Sequence, residues 1–138
     1  MLLGVYRTES QVVSSAFFKE LATMFERLPV YSCPVVICGD SNMHVDDASC
    51  ADAVRLADLL QSFGDVQHVT TATHTAGHTF DLVIARTDTD ITDVDVGGFI
   101  SDHVLVRFTI VCGDRSTRRN QSVVEPGKDT RNMCLHVA

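Results

Sequence analysis

Three short stretches of this sequence carry side chains that could act together on one reacting group. Gly39-Asp40-Ser41-Asn42-Met43-His44 offers a carboxylate, an amide and an imidazole directly after the apolar run Pro34-Val35-Val36-Ile37-Cys38. Side chains at such a place emerge at the C-terminal edge of a strand, where α/β folds usually put their ligands. Asp81 interrupts the apolar stretch Phe80 to Ala85, and a carboxylate there is costly unless a cation or hydrogen-bond donor meets it. Ser101-Asp102-His103 sets an acid beside an imidazole; one can hold a metal ion while the other takes a proton. Each stretch also has an ordinary explanation. Gly-Asp and Ser-Asp make turns, and Asp81 could stand at an exposed strand start.

The elements that must position these residues read as alternating strands and helices. Leu2 to Arg7 is a short strand. From Ser10 the apolar positions Val13, Phe17, Leu21, Met24 and Leu28 recur at helical spacing, which predicts an amphipathic helix ended by Pro29. The continuous run Pro34 to Cys38 predicts a strand covered on both faces. Asp46 or Asp47 is the expected cap of a second helix, with Ala53, Leu56, Leu60 and Phe63 on one face and Gly64 as its stop. Val66 to Thr70 and Thr79 to Arg86 predict two more strands. Thr87 to Asp95 reads as an acidic turn, with a short strand around Val94 and Val96 broken by Gly97-Gly98. Val104 to Val111 alternates and predicts a half-exposed strand. All three chemical stretches therefore fall at strand edges of an α/β fold.

With 138 residues, 45% of them apolar, the chain has enough to build one core, which argues against a wholly disordered protein. Eleven basic residues stand against 18 acidic ones, a net charge of −7, which argues against a simple electrostatic nucleic-acid binder with a basic face. The acidity is uneven: Met1 to Ile110 carries a net −9 and Val111 to Ala138 a net +2. We therefore expect a folded domain over 1–111 and a polar tail or linker over 112–138. Within that tail Arg115, Arg118 and Arg119 read as solvated.

Cys33, Cys38, Cys50, Cys112 and Cys134 are odd in number and contain no C-x-x-C pair, so a reducing compartment is expected. No apolar run approaches the ~18 residues of a membrane span. The opening is too short for a signal core, and the expectation is an intracellular protein without membrane partners. His74 and His78 have metal-like spacing, but a strand-to-strand connection containing Gly77 does not put them on one helical face, which argues against a zinc pair.

Taken in order, Tyr6-Arg7, Gly39-Asp40-Ser41-Asn42, Phe80-Asp81-Leu82-Val83 and Ser101-Asp102-His103 resemble the C-terminal half of the endonuclease/exonuclease/phosphatase superfamily, the DNase I-like fold. Thr73-His74-Thr75-Ala76-Gly77-His78-Thr79-Phe80-Asp81-Leu82-Val83-Ile84 is similar in particular to the endonuclease domains of non-LTR retrotransposons. The resemblance covers about Leu2 to Val111. It implies one half of a four-layer α/β sandwich, with a mixed sheet and flanking helices, and the N-terminal half of the domain missing.

The resemblance also implies roles. His103 would be the general base or transition-state stabiliser, oriented by Asp81. Asp40 would handle a proton on the water or leaving group, Asn42 would hydrogen-bond the scissile phosphate, Tyr6 would contact it, and Asp102 would help hold Mg²⁺ or Mn²⁺. The family's principal metal-binding Asn and Glu have no counterpart in this chain. Ser41 stands where Phe is common, and Thr8 where Pro often follows the tyrosine. The implied activity is DNA nicking in a retrotransposon-like element, impaired in this chain, with DNA and a reverse transcriptase domain as partners and a nuclear location. The alternatives are an inactive remnant or, less favoured, a phosphatase of the same fold. Because the missing half would cover one sheet face, exposed apolar side chains are also expected.

Overall fold

The computed structural model describes residues 1–8, 12–112 and 129–136. Among them the elements run β1 (Leu2–Gly4), α1 (Ser15–Arg27), β2 (Val36–Asp40), α2 (Ala51–Phe63), β3 (Asp65–Gln67), β4 (Asp81–Arg86), β5 (Asp90–Phe99), β6 (Val104–Cys112) and β7 (Asp129–His136). The expected α/β class is what the chain adopts.

Strands β1, β2, β4 and β3 form a mixed sheet in that spatial order. β1 is parallel to β2, whereas β2–β4 and β3–β4 are antiparallel. β2 and β4, apolar between Asp40 and Asp81 at one end and Arg86 at the other, are its two central strands, and their alternation feeds two cores. Ile37, Leu82 and Ile84 meet Phe18, Leu21 and Phe25 of α1 and Leu56 and Leu60 of α2. Val36, Cys38, Val83 and Ala85 point the other way, against Val104, Val106, Phe108 and Ile110 of β6. The mixed sheet thus lies between a helical layer and a second, antiparallel sheet of β5, β6 and β7. Its two central strands, β2 and β4, are buried on both faces, as their continuous apolar runs require.

Several element boundaries differ from expectation. The hydroxyl of Ser14 accepts from the backbone N–H of Phe17 at 3.1 Å and starts α1 there; Ser10 lies outside the described residues. Neither Asp46 nor Asp47 caps α2. Asp47 instead accepts from the backbone N–H and hydroxyl of Ser49 in a tight turn, and α2 begins after Cys50 with no side-chain cap. Gly64 ends α2 in the left-handed conformation, φ 73°, as the sequence predicts.

The stretch read as an acidic turn is a ten-residue strand, β5. Its alternation is hidden by two register shifts against β6, between Thr92 and Asp95 and between Val96 and Phe99, with Asp93 at φ 53°. These are the marks of a bulged edge strand, whose aspartates discourage pairing with other chains. On β6, Thr109, expected on the open face beside Arg107, is buried.

The expected tail over 112–138 also needs correction. Cys112 closes β6, and Asp129–His136 pairs antiparallel with β6 from Cys112↔Asp129 to Leu105↔His136. A strand that can pair its backbone along a neighbour's free edge needs little apolar signal of its own. Arg115, Arg118 and Arg119 lie outside the described residues. Exposed apolar side chains do occur, including Tyr6, Val12, Val30, Phe99 and Ile100.

Candidate active site

The register of β2 against β4 places Asp40, the last residue of one strand, directly opposite Asp81, the first of the other. Both are buried, Asp81 completely. Like charges so placed repel. Burial, seconded by the field of Asp81, holds the Asp40 carboxyl above the usual range, against the opposing pull of its hydrogen bonds from Asn42.

The strand end is shaped by Gly39, at φ 143°, where an added Cβ would fall 1.8 Å from the Val5 carbonyl oxygen. That close approach lets the chain beyond β1 run alongside β2: Val5 N–H donates to the Cys38 carbonyl at 2.9 Å and Arg7 N–H to the Asp40 carbonyl at 3.0 Å. The Arg7 side chain then folds over the turn. Its Nε donates to the Ser41 carbonyl at 2.7 Å and its Nη2 to the Asn42 carbonyl. Asn42 sits at φ 46°, a conformation asparagine tolerates better than most residues.

Asn42 clamps Asp40 with two hydrogen bonds, from its backbone N–H to Oδ1 and from Nδ2 to Oδ2, both 2.8 Å. Nδ2 also donates to the Arg7 carbonyl at 2.6 Å. Two acceptors use both hydrogens of the amide, so Asn42 must release one before it can donate to a phosphate. Ser41 is fully buried, and its hydroxyl donates to the Phe80 carbonyl at 2.8 Å. A phenylalanine there could not make this tie.

His103 arrives from the other sheet. Its Nδ1 lies 3.1 Å from Asp81 Oδ2 and its Nε2 3.8 Å from Asp40 Oδ2. The contact fixes the imidazole with a proton on Nδ1 and leaves Nε2, on the side of Asp40, free to accept one. Burial works against charge on His103, but the hydrogen bond and field of Asp81, with Asp40 and Asp102 behind it, outweigh burial and raise its pKa above the ordinary 6.5. Asp81 Oδ1 is buried without a hydrogen-bond partner, which leaves His103 as the counterpart of an otherwise undersupplied carboxylate.

The loop between β3 and β4 holds the two sheets' contributions in place. The Thr73 hydroxyl accepts from the N–H groups of Phe80 and Asp81 at 3.0 and 3.1 Å, while its carbonyl accepts from Val104 N–H at 3.0 Å. Next to it His74 forms a backbone bridge with His103, and Thr75 N–H donates to the Asp102 carbonyl at 2.9 Å. One short loop therefore sets Asp81, Asp102 and His103 relative to one another.

The structure brings Asp40, Asn42, Asp81 and His103 together, with Asp102 beside them. Tyr6, next to Arg7 on the chain beyond β1, is 67% exposed. His74 and His78 diverge: His74 Nε2 is 3.6 Å from Asp102, whereas His78 pairs with Asp46 at 3.2 Å. Sequence reasoning set His74 aside with His78 and did not place it beside the site; its position next to the buried Thr73 on a return loop became visible only through its backbone bridge. Nor did sequence reasoning give Arg7 its role as a clamp on the turn.

With this geometry in place, one comparison decides the family. Residues 1–107 match the family described as endonuclease-reverse transcriptase. The chain belongs to that family. It is thus an endonuclease/exonuclease/phosphatase-type domain, and the match ends within β6. No curated protein matches the chain.

For a divalent ion, the donors differ in availability. Both oxygens of Asp40 are taken by Asn42, and Asp81 is sealed. Asp102, with its side chain 65% exposed, is open, and Ser101 holds its carboxyl below the usual range. One open carboxylate suits Mg²⁺, which keeps waters and shares substrate phosphate oxygens. Among the described residues, the group spaced for a metal is His74, Asp102 and His103.

Proposed function

We propose that this endonuclease-family domain hydrolyses phosphodiester bonds and nicks DNA as part of a retrotransposon-like element, beside a reverse transcriptase domain and in the nucleus. The observation that carries this reading is the contact of His103 with both Asp81 and Asp40 at adjoining strand ends. Asp81 holds the imidazole by Nδ1, so that Nε2 is left to accept a proton from an attacking water. Asp40, whose carboxyl burial holds above the usual range, would take up a proton and pass it to the departing oxygen. Asn42, freed from one of its two acceptors, would orient the phosphate; Tyr6 would reach the backbone from its exposed position. Asp102 would hold Mg²⁺ or Mn²⁺, which when bound offsets charge developing on the phosphate oxygens.

Residues Met1–Ala138 alone should nick slowly. Asp40, Asp81 and Asp102 surround an already anionic phosphate, so with weak cation retention they repel it. A second reading, a catalytically inactive remnant, draws on the engagement of both Asn42 N–H hydrogens within the protein.

Plasmid relaxation tests the choice, with Mg²⁺ or Mn²⁺ against chelator and wild type against His103→Ala. Slow, chelator-sensitive nicking lost in the variant supports the nuclease. No nicking at any protein concentration supports the remnant, and nicking that survives both chelator and His103→Ala overturns the assignment of the site.

A further inference from the structure

We propose that His74, Asp102 and His103 form a binding site for a borderline transition-metal ion of the zinc type, distinct in ligand chemistry from a magnesium site. Two imidazole nitrogens and a carboxylate oxygen lie within 4.8 Å of one another. Magnesium demands oxygen donors and dehydrates reluctantly, whereas imidazole nitrogens with one carboxylate suit zinc and cobalt. Tetrahedral zinc with bonds of about 2.0–2.2 Å needs its donors roughly 3.3–3.6 Å apart. His74 Nε2 and Asp102 Oδ2 already stand at 3.6 Å, so only a small closure completes the set.

Two of the three donors are ready. His103 Nδ1 faces Asp81 Oδ2, the carboxylate–histidine arrangement that typically stands behind a metal-binding imidazole, and this leaves Nε2 as the nitrogen that would take the ion. Asp102 is open to solvent and provides the entry path. His74 must change: its Nδ1 accepts from Ala76 N–H at 3.0 Å, which puts the proton of the neutral ring on Nε2. On binding, the ring changes tautomer, Nε2 giving up its proton as Nδ1 gains one through solvent, and the exposed Ala76 N–H turns to water, a modest loss against a metal–nitrogen bond. The frame itself does not move, because the His74–His103 bridge and the Thr75–Asp102 bond are made by backbone.

If the proposed function holds, such an ion would occupy the proton-accepting nitrogen of His103 and the carboxylate of Asp102 together, and so oppose hydrolysis. The binding itself is independent of that reading and is tested without an activity assay. Co²⁺ is titrated into residues Met1–Ala138 and the visible d–d bands are followed, with Zn²⁺ as competitor and Mg²⁺ as control. The expected result is one tightly held ion, displaced by Zn²⁺ and not by excess Mg²⁺. His74→Ala and Asp102→Asn should each weaken it by at least about 10-fold. Far-ultraviolet circular dichroism monitors folding; should His74→Ala unfold, the exposed Asp102→Asn decides alone. Unchanged affinity in a folded variant, a thiolate-to-cobalt charge-transfer band that puts the ion on cysteine, or displacement by Mg²⁺ would each overturn the proposal, as would the absence of binding.

Discussion

Asp40 and Asp81 oppose each other across two hydrogen-bonded strands, and the single imidazole of His103 lies against both, 3.8 Å from one and 3.1 Å from the other. Two buried carboxylates at this separation are unfavourable without a cation or a proton between them. His103 and the clamp by Asn42 are the compensation, and the same compensation poises a proton acceptor at the strand ends. Asp81→Asn should therefore lower the pKa of His103, because the negative charge that favours imidazolium is gone while the ring stays partly buried. Titration of the His103 ring signals by NMR, in chelator, checks this; an unchanged midpoint would mean that Asp81 does not govern the imidazole.

The same contact makes stability depend on pH. The folded-state pKa of His103 is raised above its ordinary 6.5, so the folded state binds the proton more tightly than the unfolded chain does. Its contribution is fully present below about pH 6.5 and is lost as pH rises through the folded-state value. In urea melts with chelator, wild type should exceed His103→Gln by a wider margin at pH 5.5 than at pH 9. A margin that is constant or grows with pH would contradict the sign.

The sequence reveals the parts of this fold that carry apolar signal. β2 and β4 are legible because strands buried on both faces must be continuously apolar, and Gly64 because only a left-handed residue ends α2 where it does. β5 escaped because its bulges break the period of two, and β7 because it is polar and held along an edge. In the site, Asp40, Asp81 and His103 are legible as chemistry at strand ends. His74 is not, since its nearness to His103 comes from a backbone bridge between segments far apart in sequence, which no local spacing encodes.

Thr73 is the residue whose hydroxyl joins the site's two halves. Thr73→Val removes the acceptor for two buried N–H groups, Phe80 and Asp81, at similar volume. An unsatisfied buried donor costs about 1–3 kcal/mol, so the variant should lose at least about that much by urea denaturation, whereas Thr73→Ser, which keeps the hydroxyl, should lose less. Equal losses in the two variants would assign the effect to packing of the methyl group.

Gly39 tests whether the turn is built on a close backbone approach. In Gly39→Ala the new Cβ would meet the Val5 carbonyl oxygen at 1.8 Å, far inside contact distance, at a φ that side chains rarely adopt. Because the obstacle is backbone, no rotamer change relieves it; the chain after β1 must swing away from β2. That movement breaks the Val5–Cys38 and Arg7–Asp40 backbone bonds and draws the Arg7 guanidinium off the Ser41 and Asn42 carbonyls. Forced overpacking typically costs about 1–3 kcal/mol and occasionally more, and the lost hydrogen bonds should place this variant at or above the upper end. Hydrogen exchange should accelerate at Val5, Arg7 and Asn42 well before it does at Val83 or Ile84 in the sheet centre. Uniform acceleration across the mixed sheet would mean that the β1 extension does not act as a separate clamp on the Asp40–Asn42 turn.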